Sequence, residues 1–218
     1  MIAEVIELTI DIDRLRDELM GQVAQKPIVS RSAAVGGWAL QSTNGSYADG
    51  WDMEFNPYNG PHNLGPQFVP INDKQKKLRA VQDYRLPTEI NSLYLQETLN
   101  ILEAQQLNPR KARVIRLSAQ SESAWHQDGV SHYYQARIHI PLITNPKCFF
   151  ENKIGKVHME YGKIYLVHIN QPHRIVNEGS EDRYHFVAHI WDRKPVSKFH
   201  IYLQDKNLGC SYLPESFD

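Results

Sequence analysis

Short segments that alternate apolar and polar side chains follow one another along the second half of the chain, from Ala112 onward. A period of two is the side-chain period of a β-strand, and Gly, Asn and Pro residues separate the segments. The predicted strands cover residues 114–118, 135–142, 147–151, 156–161, 163–169, 174–176 and 184–191. Since no helical pattern intervenes, the series favours an antiparallel sandwich, jelly roll or barrel.

Three helices are predicted in the first half of the chain. Residues 11–25 repeat apolar side chains every three or four positions, and residues 73–84 carry a short apolar face beside a basic, solvated one. The third helix is expected to have Thr88 as its N-cap and to end before Pro109. The first and third helices are expected to turn these residues inward: Ile12, Leu15, Leu19, Val23, Leu95, Leu99 and Leu102. The architecture is therefore mainly β with flanking helices.

Other parts of the first half have extended or irregular patterns. Residues 1–8 alternate apolar and acidic side chains, which predicts a first strand and not a signal peptide. A further short strand is predicted at 38–41. It lies within residues 36–70, which are rich in Gly, Asn, Pro and aromatic residues, and such long irregular segments are usually functional or mobile. We expect this segment to form a substrate rim.

Length and composition limit the classes of protein to consider. The 218 residues fit a single domain, with an N-terminal elaboration at 1–110, a β core at 111–192 and an extension at 193–218. A net charge of -1 argues against nucleic acid as the default partner. Only two cysteines occur, and no apolar run has the length of a membrane span, so a cytoplasmic protein with no membrane partner is expected.

Histidines are the residues on which a chemical function can be argued. Gly-rich phosphate loops, a Gly-x-Ser-x-Gly elbow and a Cys-x-x-Cys pair do not occur in the sequence. Eight of the ten histidines, however, lie between His126 and His189, within the predicted β half.

One candidate metal site combines His126, Asp128 and His173. His126 and Asp128 are two residues apart and lie on the same side of an extended chain, and His173 follows a predicted strand and a proline turn. Two imidazoles and one carboxylate leave three positions of an octahedral metal open, as in non-heme Fe(II) oxygenases. An alternative set is His158, Glu160 and His168, which also shows the two-residue spacing, and we favour the first set.

Arginines in the same region could hold an acidic cosubstrate. An iron oxygenase that uses 2-oxoglutarate must bind its distal carboxylate, and a guanidinium does so with two parallel hydrogen bonds. Arg183 is available at the start of a predicted strand, ten residues after His173. Arg137 and His139 share one face of another strand, while apolar residues occupy the opposite face.

Taken in order along residues 110–192, these segments resemble the aspartyl/asparaginyl β-hydroxylase family of Fe(II)/2-oxoglutarate dioxygenases, which includes bacterial amino-acid hydroxylases such as the proline cis-hydroxylases. The matching motifs are Arg116-Leu-Ser118, His126-Gln-Asp128, Arg137-Ile-His-Ile-Pro141, His173-Arg-Ile-Val-Asn177 and Arg183-Tyr-His-Phe. The residues from Gly37 to Gln41 also look like an N-terminal strand of that family.

The resemblance implies a double-stranded β-helix fold, which is a jelly roll of the cupin type. It implies iron held by His126, Asp128 and His173, with 2-oxoglutarate and O2 as cosubstrates. By the same resemblance, the distal carboxylate of 2-oxoglutarate would bind Arg183 with help from Ser118. Arg137 and His139 would lie beside the metal-binding end of the cosubstrate.

The expected function is hydroxylation of an sp3 carbon of an amino acid, free or in a peptide, with release of succinate and CO2. Trp38 and Trp51 are candidate substrate contacts, and the oligomeric state stays open. One alternative is a metal-dependent cupin enzyme that does not use 2-oxoglutarate and has no need of Arg183. Another is a non-catalytic β-sandwich binding module whose histidines are structural.

Overall fold

The computed structural model of the protein describes residues 2–49, 84–126, 136–169 and 172–190. Within these residues the chain forms helices α1 (Ile12–Val23) and α2 (Leu93–Ala104) and a series of mostly short strands. In chain order the strands are β1 (Ala3–Ile6), β2 (Val29–Ser30), β3 (Val35–Ala39), β4 (Gln41–Ser42), β5 (Leu86–Pro87), β6 (Pro109–Leu117), β7 (Ser121–Glu122), β8 (Ala136–Ile143), β9 (Cys148–Asn152), β10 (Gly155–Val157), β11 (Ile164–His168), β12 (His173–Asn177) and β13 (Arg183–Ile190). Most of the predicted helix at 73–84, the second part of the predicted substrate rim and the predicted extension at 193–218 lie outside the described residues.

The order of the strands in two main sheets identifies the fold. The larger sheet has the order β1-β11-β8-β13-β6-β3-β2, and the smaller one has the order β10-β9-β12-β7. From β6 to β13 the chain passes back and forth between the sheets, with one hairpin between β9 and β10. This is the eight-stranded jelly roll of a double-stranded β-helix, which confirms the predicted fold class. The remaining strands of the larger sheet extend it at both edges.

The two faces of the larger sheet have different chemistry because successive side chains of a strand point in opposite directions. On the outer face, Ile138, Ile140 and Phe186 belong to the main apolar core, together with buried residues of α1 and α2. The inner face, which looks toward the smaller sheet, carries polar residues between apolar ones. His139, for example, meets the ring of Phe150 on β9 edge-on at 6.5 Å. A second apolar cluster, which includes Phe150, Tyr165 and Val167, fills part of this interior.

The helices cover the outer face as the apolar stripes predict. All four predicted inward residues of α1 are buried, and so are Leu95, Leu99 and Leu102 of α2. The predicted start of the third helix is wrong, because the N-cap is Ser92, whose hydroxyl accepts a hydrogen bond from the amide of Leu95 at 3.0 Å. The hydroxyl of Thr88 instead donates to the carbonyl of Ala39 at 2.7 Å and ties the segment before α2 to β3.

The predicted strand at 156–161 is longer than the observed one. β10 ends at Val157, and the chain then leaves the sheet to place the buried side chain of Met159 in the second apolar cluster. Gly162 follows with φ of 82°, a conformation that favours glycine and allows the turn into β11. Neither described helix has the length and apolar character that a membrane span requires.

Candidate active site

Two candidate metal ligands, His126 and His173, lie side by side at one end of the smaller sheet. Their backbones form an antiparallel bridge, with the amide of each donating to the carbonyl of the other at 2.9 and 2.8 Å. The centroids of the two imidazole rings are 4.4 Å apart. Since β12 supplies one histidine and the residues after β7 supply the other, the antiparallel pairing of these segments assembles the pair.

The hydrogen bond of His126 determines which ring nitrogen can bind a metal. Its Nδ1 lies 2.8 Å from the carbonyl oxygen of Ala124. A carbonyl only accepts, so in the neutral imidazole Nδ1 carries the proton and Nε2 holds the lone pair. Metal-ligating histidines commonly make this bond with their second nitrogen. His173 is buried, and its ring stacks on that of Phe150 at 4.8 Å.

Asp128, the third predicted ligand, lies outside the described residues, as does Trp51. The residues that the structure describes contain no group of three His, Cys, Asp or Glu side chains able to hold a metal ion. The structure shows the two histidines next to each other. The complete three-ligand site stays a prediction.

The alternative metal set is not assembled. His158 places Nδ1 2.9 Å from the carbonyl oxygen of Cys148, and Glu160 forms a surface ion pair with Lys163 at 2.9 Å. His168 lies on the same outer face of β11 as Ile164 and Leu166. Burial lowers the pKa of His168 to about 4, so the side chain is neutral at neutral pH. These three side chains, all of them described, do not form a metal-binding group.

Arg183 begins β13, and its side chain is buried on the inner face of the larger sheet. It is 2% exposed, and burial lowers the pKa of its guanidinium to about 10, so it remains charged at neutral pH. Its Nη2 donates to Nδ1 of His185 at 2.6 Å. Its Nη1 has no hydrogen-bond partner among the described residues, and no carboxylate of those residues pairs with it. A buried cation in this state is suited to an anionic ligand.

The turn before Arg183 is held by Asn177. The side-chain amide of Asn177 donates to the carbonyls of Ser118 and Glu181 at 3.0 and 2.8 Å. Its oxygen accepts hydrogen bonds from the amide of Gly179 and the thiol of Cys148, both at 3.0 Å. This buried residue therefore ties the ends of three strands together where the guanidinium enters the interior.

Arg137 and His139 lie on the inner face of β8, as the alternation predicts. His139 is 3% exposed, and its ring centroid is 5.8 Å from that of His185. Arg137 lies opposite His189 in the register of β8 and β13. The structure thus brings Arg137, His139 and Arg183 to one face of one sheet, while their predicted contacts with a cosubstrate stay untested.

The side chains of Ser118 and Trp38 make hydrogen bonds to other parts of the chain. The hydroxyl of Ser118 donates to the carbonyl of Ala33 at 3.5 Å, in the direction of the β2–β3 connection. Trp38 packs in the outer-face core, and its indole N–H donates to the carbonyl of Lys26 at 3.1 Å. It lines a cavity of about 340 Å³ on that face together with Tyr184. The positions of Ser118 and Trp38 therefore give no support to their predicted roles beside the cosubstrate and the substrate.

The sequence reasoning missed His185. This residue is 1% exposed and directly contacts Arg183. The sequence did contain a sign of this contact. His185 is two residues from Arg183 on a predicted strand, and residues two apart share a face.

Comparison with protein families agrees with this geometry. A family model described as aspartyl/asparaginyl beta-hydroxylase matches residues 79–193, which is more than half of the chain. The chain belongs to the aspartyl/asparaginyl β-hydroxylase family. Membership confirms the resemblance found in the sequence, and it makes the protein a hydroxylase by family. No curated protein matches the chain.

Solved structures similar to this family member are distant in sequence. An oxidoreductase of the 2OG-Fe(II) oxygenase family from Burkholderia pseudomallei is 13% identical over 83% of this chain and 77% of its own, with a TM-score of 0.48. A prolyl-4-hydroxylase from Pseudomonas putida is 10% identical over 88% of this chain and 92% of its own, with a TM-score of 0.48. A prolyl hydroxylase from Trichoplax adhaerens, in complex with a hypoxia inducible factor peptide, is 11% identical over 88% and 84%, with a TM-score of 0.49.

Proposed function

We infer that the protein is an Fe(II)- and 2-oxoglutarate-dependent dioxygenase that hydroxylates an sp3 carbon of an amino acid, free or within a peptide. The observation that carries this proposal is the buried guanidinium of Arg183, which has an unused donor and no carboxylate partner among the described residues. It lies in the interior of the same jelly roll that places His126 beside His173. Family membership adds the reaction class.

The residues fit an iron ion. His126 has the tautomer in which Nε2 carries the lone pair that a metal ligand requires, and its ring centroid lies 4.4 Å from that of His173. These two imidazoles would hold the iron together with Asp128. When bound, iron and 2-oxoglutarate supply the oxidising chemistry, in which O2 gives one oxygen atom to the substrate and one to succinate, with loss of CO2. The chain itself positions the cosubstrate and the substrate and limits access of water.

The residues also fit an acidic cosubstrate. In a buried site an anion is bound strongly by a fixed guanidinium because water does not screen the pair. Arg183 would hold the distal carboxylate of 2-oxoglutarate. Arg137 and His139, on the same sheet face, would then lie toward the end of the cosubstrate that reaches the metal.

The two alternative functions are less well supported. A cupin enzyme that does not use 2-oxoglutarate gives no reason for a buried guanidinium at Arg183 whose Nη1 lacks a partner in the described part of the chain. A binding module without catalytic activity is at odds with membership of a hydroxylase family. Only family membership supports the proposed class of substrate. The first experiment is therefore to identify the substrate.

The test is a screen for succinate release over free amino acids and short peptides, with Fe(II), O2 and 2-oxoglutarate present. We expect one substrate class to give succinate together with a product that is heavier by one oxygen atom. Release should disappear in Arg183→Met and persist in Arg116→Met, which changes an arginine on the outer face paired with Asp182. If calorimetry detects no binding of 2-oxoglutarate to the metal-loaded protein, the proposal is wrong.

A further inference from the structure

Two buried donors, on Arg183 and His185, come together on the inner face of β13. The two residues are two positions apart, so their side chains point the same way, and they are 2% and 1% exposed. Nη2 of Arg183 is 2.6 Å from Nδ1 of His185. The guanidinium and the imidazole therefore form one unit in the interior of the jelly roll.

This contact determines the tautomer of His185. A guanidinium has donors and no acceptor, so Nδ1 of His185 must accept and carries no proton. Burial first, and then the charge of Arg183, hold the pKa of His185 well below its ordinary value, so the imidazole is neutral. The single ring proton of a neutral imidazole whose Nδ1 accepts lies on Nε2. His185 thus presents a fixed N–H donor at Nε2, the ring nitrogen that does not contact Arg183.

Two donors of the unit remain unsatisfied within the part of the protein that the structure describes. Nη1 of Arg183 and Nε2 of His185 are both buried, and neither has a hydrogen-bond partner there. Buried donors are normally paired, since leaving them unpaired costs free energy. Two such donors in one unit, one of them cationic, match an anion with two acceptor oxygens.

We propose that His185 is a second cosubstrate-binding residue, whose Nε2–H donates to the same distal carboxylate of 2-oxoglutarate that binds Nη1 of Arg183. This assignment rests on the proposed function and extends it. Arg183 thereby has two roles, since it binds the carboxylate directly and also holds His185 in the tautomer that can donate. The side chain of Ser118 points to Ala33, so His185 takes the place as second donor that was expected for Ser118.

Asparagine and glutamine at position 185 separate the two nitrogens of the imidazole. In His185→Asn the amide replaces Nδ1, so it can still accept from Arg183, but no donor remains at the position of Nε2. In His185→Gln the amide reaches the position of Nε2 and restores a donor there. Affinity is measured by calorimetry on protein loaded with Mn(II) in the absence of O2, so that binding is measured without turnover.

We expect His185→Asn to weaken the affinity for 2-oxoglutarate roughly tenfold to a hundredfold, which is the contribution of a hydrogen bond to a charged group. His185→Gln should bind close to wild type, and Mn(II) affinity should be unchanged in both variants. The matched control is His168→Asn, which changes a buried histidine on the outer face of the same sheet and should leave affinity unchanged. As a second ligand, 2-oxopentanoate has a methyl group in place of the distal carboxylate, so it should bind wild type and His185→Asn equally.

Two results overturn the inference while leaving the proposed function intact. One is wild-type affinity for 2-oxoglutarate in His185→Asn, and the other is an equal loss in the Asn and Gln variants. Failure of the wild-type protein to bind 2-oxoglutarate would overturn the proposed function as well. If the variants do not fold, long-range nitrogen–proton correlation NMR on the wild type decides the matter. A proton on Nε2 of His185 whose signal moves with 2-oxoglutarate, and not with 2-oxopentanoate, supports the inference, and a proton on Nδ1 overturns it.

Discussion

Replacing Arg183 with methionine should have opposite effects on the stability of the ligand-free protein and on its response to 2-oxoglutarate. Methionine has similar length and no charge, so Arg183→Met removes the buried cation while keeping a side chain in its place. The substitution also removes the hydrogen bond that Nη2 makes to His185. Removing the buried charge stabilises the ligand-free protein and removing the hydrogen bond destabilises it, so the net free energy of unfolding depends on their balance. Both changes weaken the binding of 2-oxoglutarate.

The stabilisation expected from removing the charge follows from the burial of the guanidinium. Burial lowers the pKa of Arg183 to about 10. The ordinary pKa of a guanidinium is higher by more than two pH units, and at about 1.4 kcal/mol per pH unit this difference disfavours the charged form by roughly 3 kcal/mol. The unfolded chain therefore holds this proton more tightly, and through this group the free energy of unfolding rises with pH only above about 10. At neutral pH methionine removes the whole penalty.

The lost hydrogen bond acts in the other direction. Leaving Nδ1 of His185 buried without a donor costs about 1 to 3 kcal/mol. The net expectation is a ligand-free variant as stable as the wild type or up to about 2 kcal/mol more stable. In the wild type, 2-oxoglutarate at about 100 times its Kd should add roughly 2.7 kcal/mol to the free energy of unfolding. In Arg183→Met that increment should vanish.

Urea unfolding followed by circular dichroism measures both quantities, with Mn(II) present and with or without 2-oxoglutarate. Arg116→Met is the control, because Arg116 is partly exposed on the outer face and pairs with Asp182 at 3.5 Å. It should lose less than about 1 kcal/mol and keep the full response to 2-oxoglutarate. A ligand-free Arg183→Met that is clearly less stable than wild type would show that the guanidinium already has an anionic partner. A preserved response to 2-oxoglutarate would show that Arg183 does not bind it.

Three further predictions concern the metal ligands and a helix cap. His126→Ala, Asp128→Ala and His173→Ala should each abolish turnover and weaken Mn(II) binding while the circular dichroism spectrum stays native, and normal turnover in all three would exclude this ligand set. Asp128→Gly should bind iron more weakly and lose hydroxylation, with weak uncoupled succinate release at most; full hydroxylation, measured by product mass, would mean that Asp128 is not a ligand. Ser92→Ala should lower the free energy of unfolding by about 1 kcal/mol in urea titrations, because the amide of Leu95 loses its cap. An unchanged midpoint would show that this bond does not contribute to stability.

The spacing of apolar residues in the sequence was sufficient to predict most of the helices and strands and the direction in which their side chains alternate. The apolar stripe of α1 is buried as predicted, and the strand that carries Arg137 and His139 turns both side chains to one face. The family could also be identified from short motifs, because metal and carboxylate binding require particular residue types at particular spacings. Local hydrogen bonds were less predictable. Ser92 and Thr88 are both suitable N-caps by residue type, and the choice between them depends on the carbonyl of Ala39, which lies far away in the sequence and binds Thr88.

The alternation of side chains along a strand specifies which residues share a face, whereas the contacts of that face depend on long-range packing. A two-residue period places His168 on one face with Leu166, and Arg183 on one face with His185. It does not say which face is turned toward the helices and which toward the smaller sheet. Pairing and packing between distant segments supply that information, since they join His126 to His173 and bury Arg183 and His185 with donors that the described residues do not satisfy. Long-range packing determines which side chains are buried. A buried polar group without a hydrogen-bond partner costs free energy, and a ligand that pairs with it removes that cost.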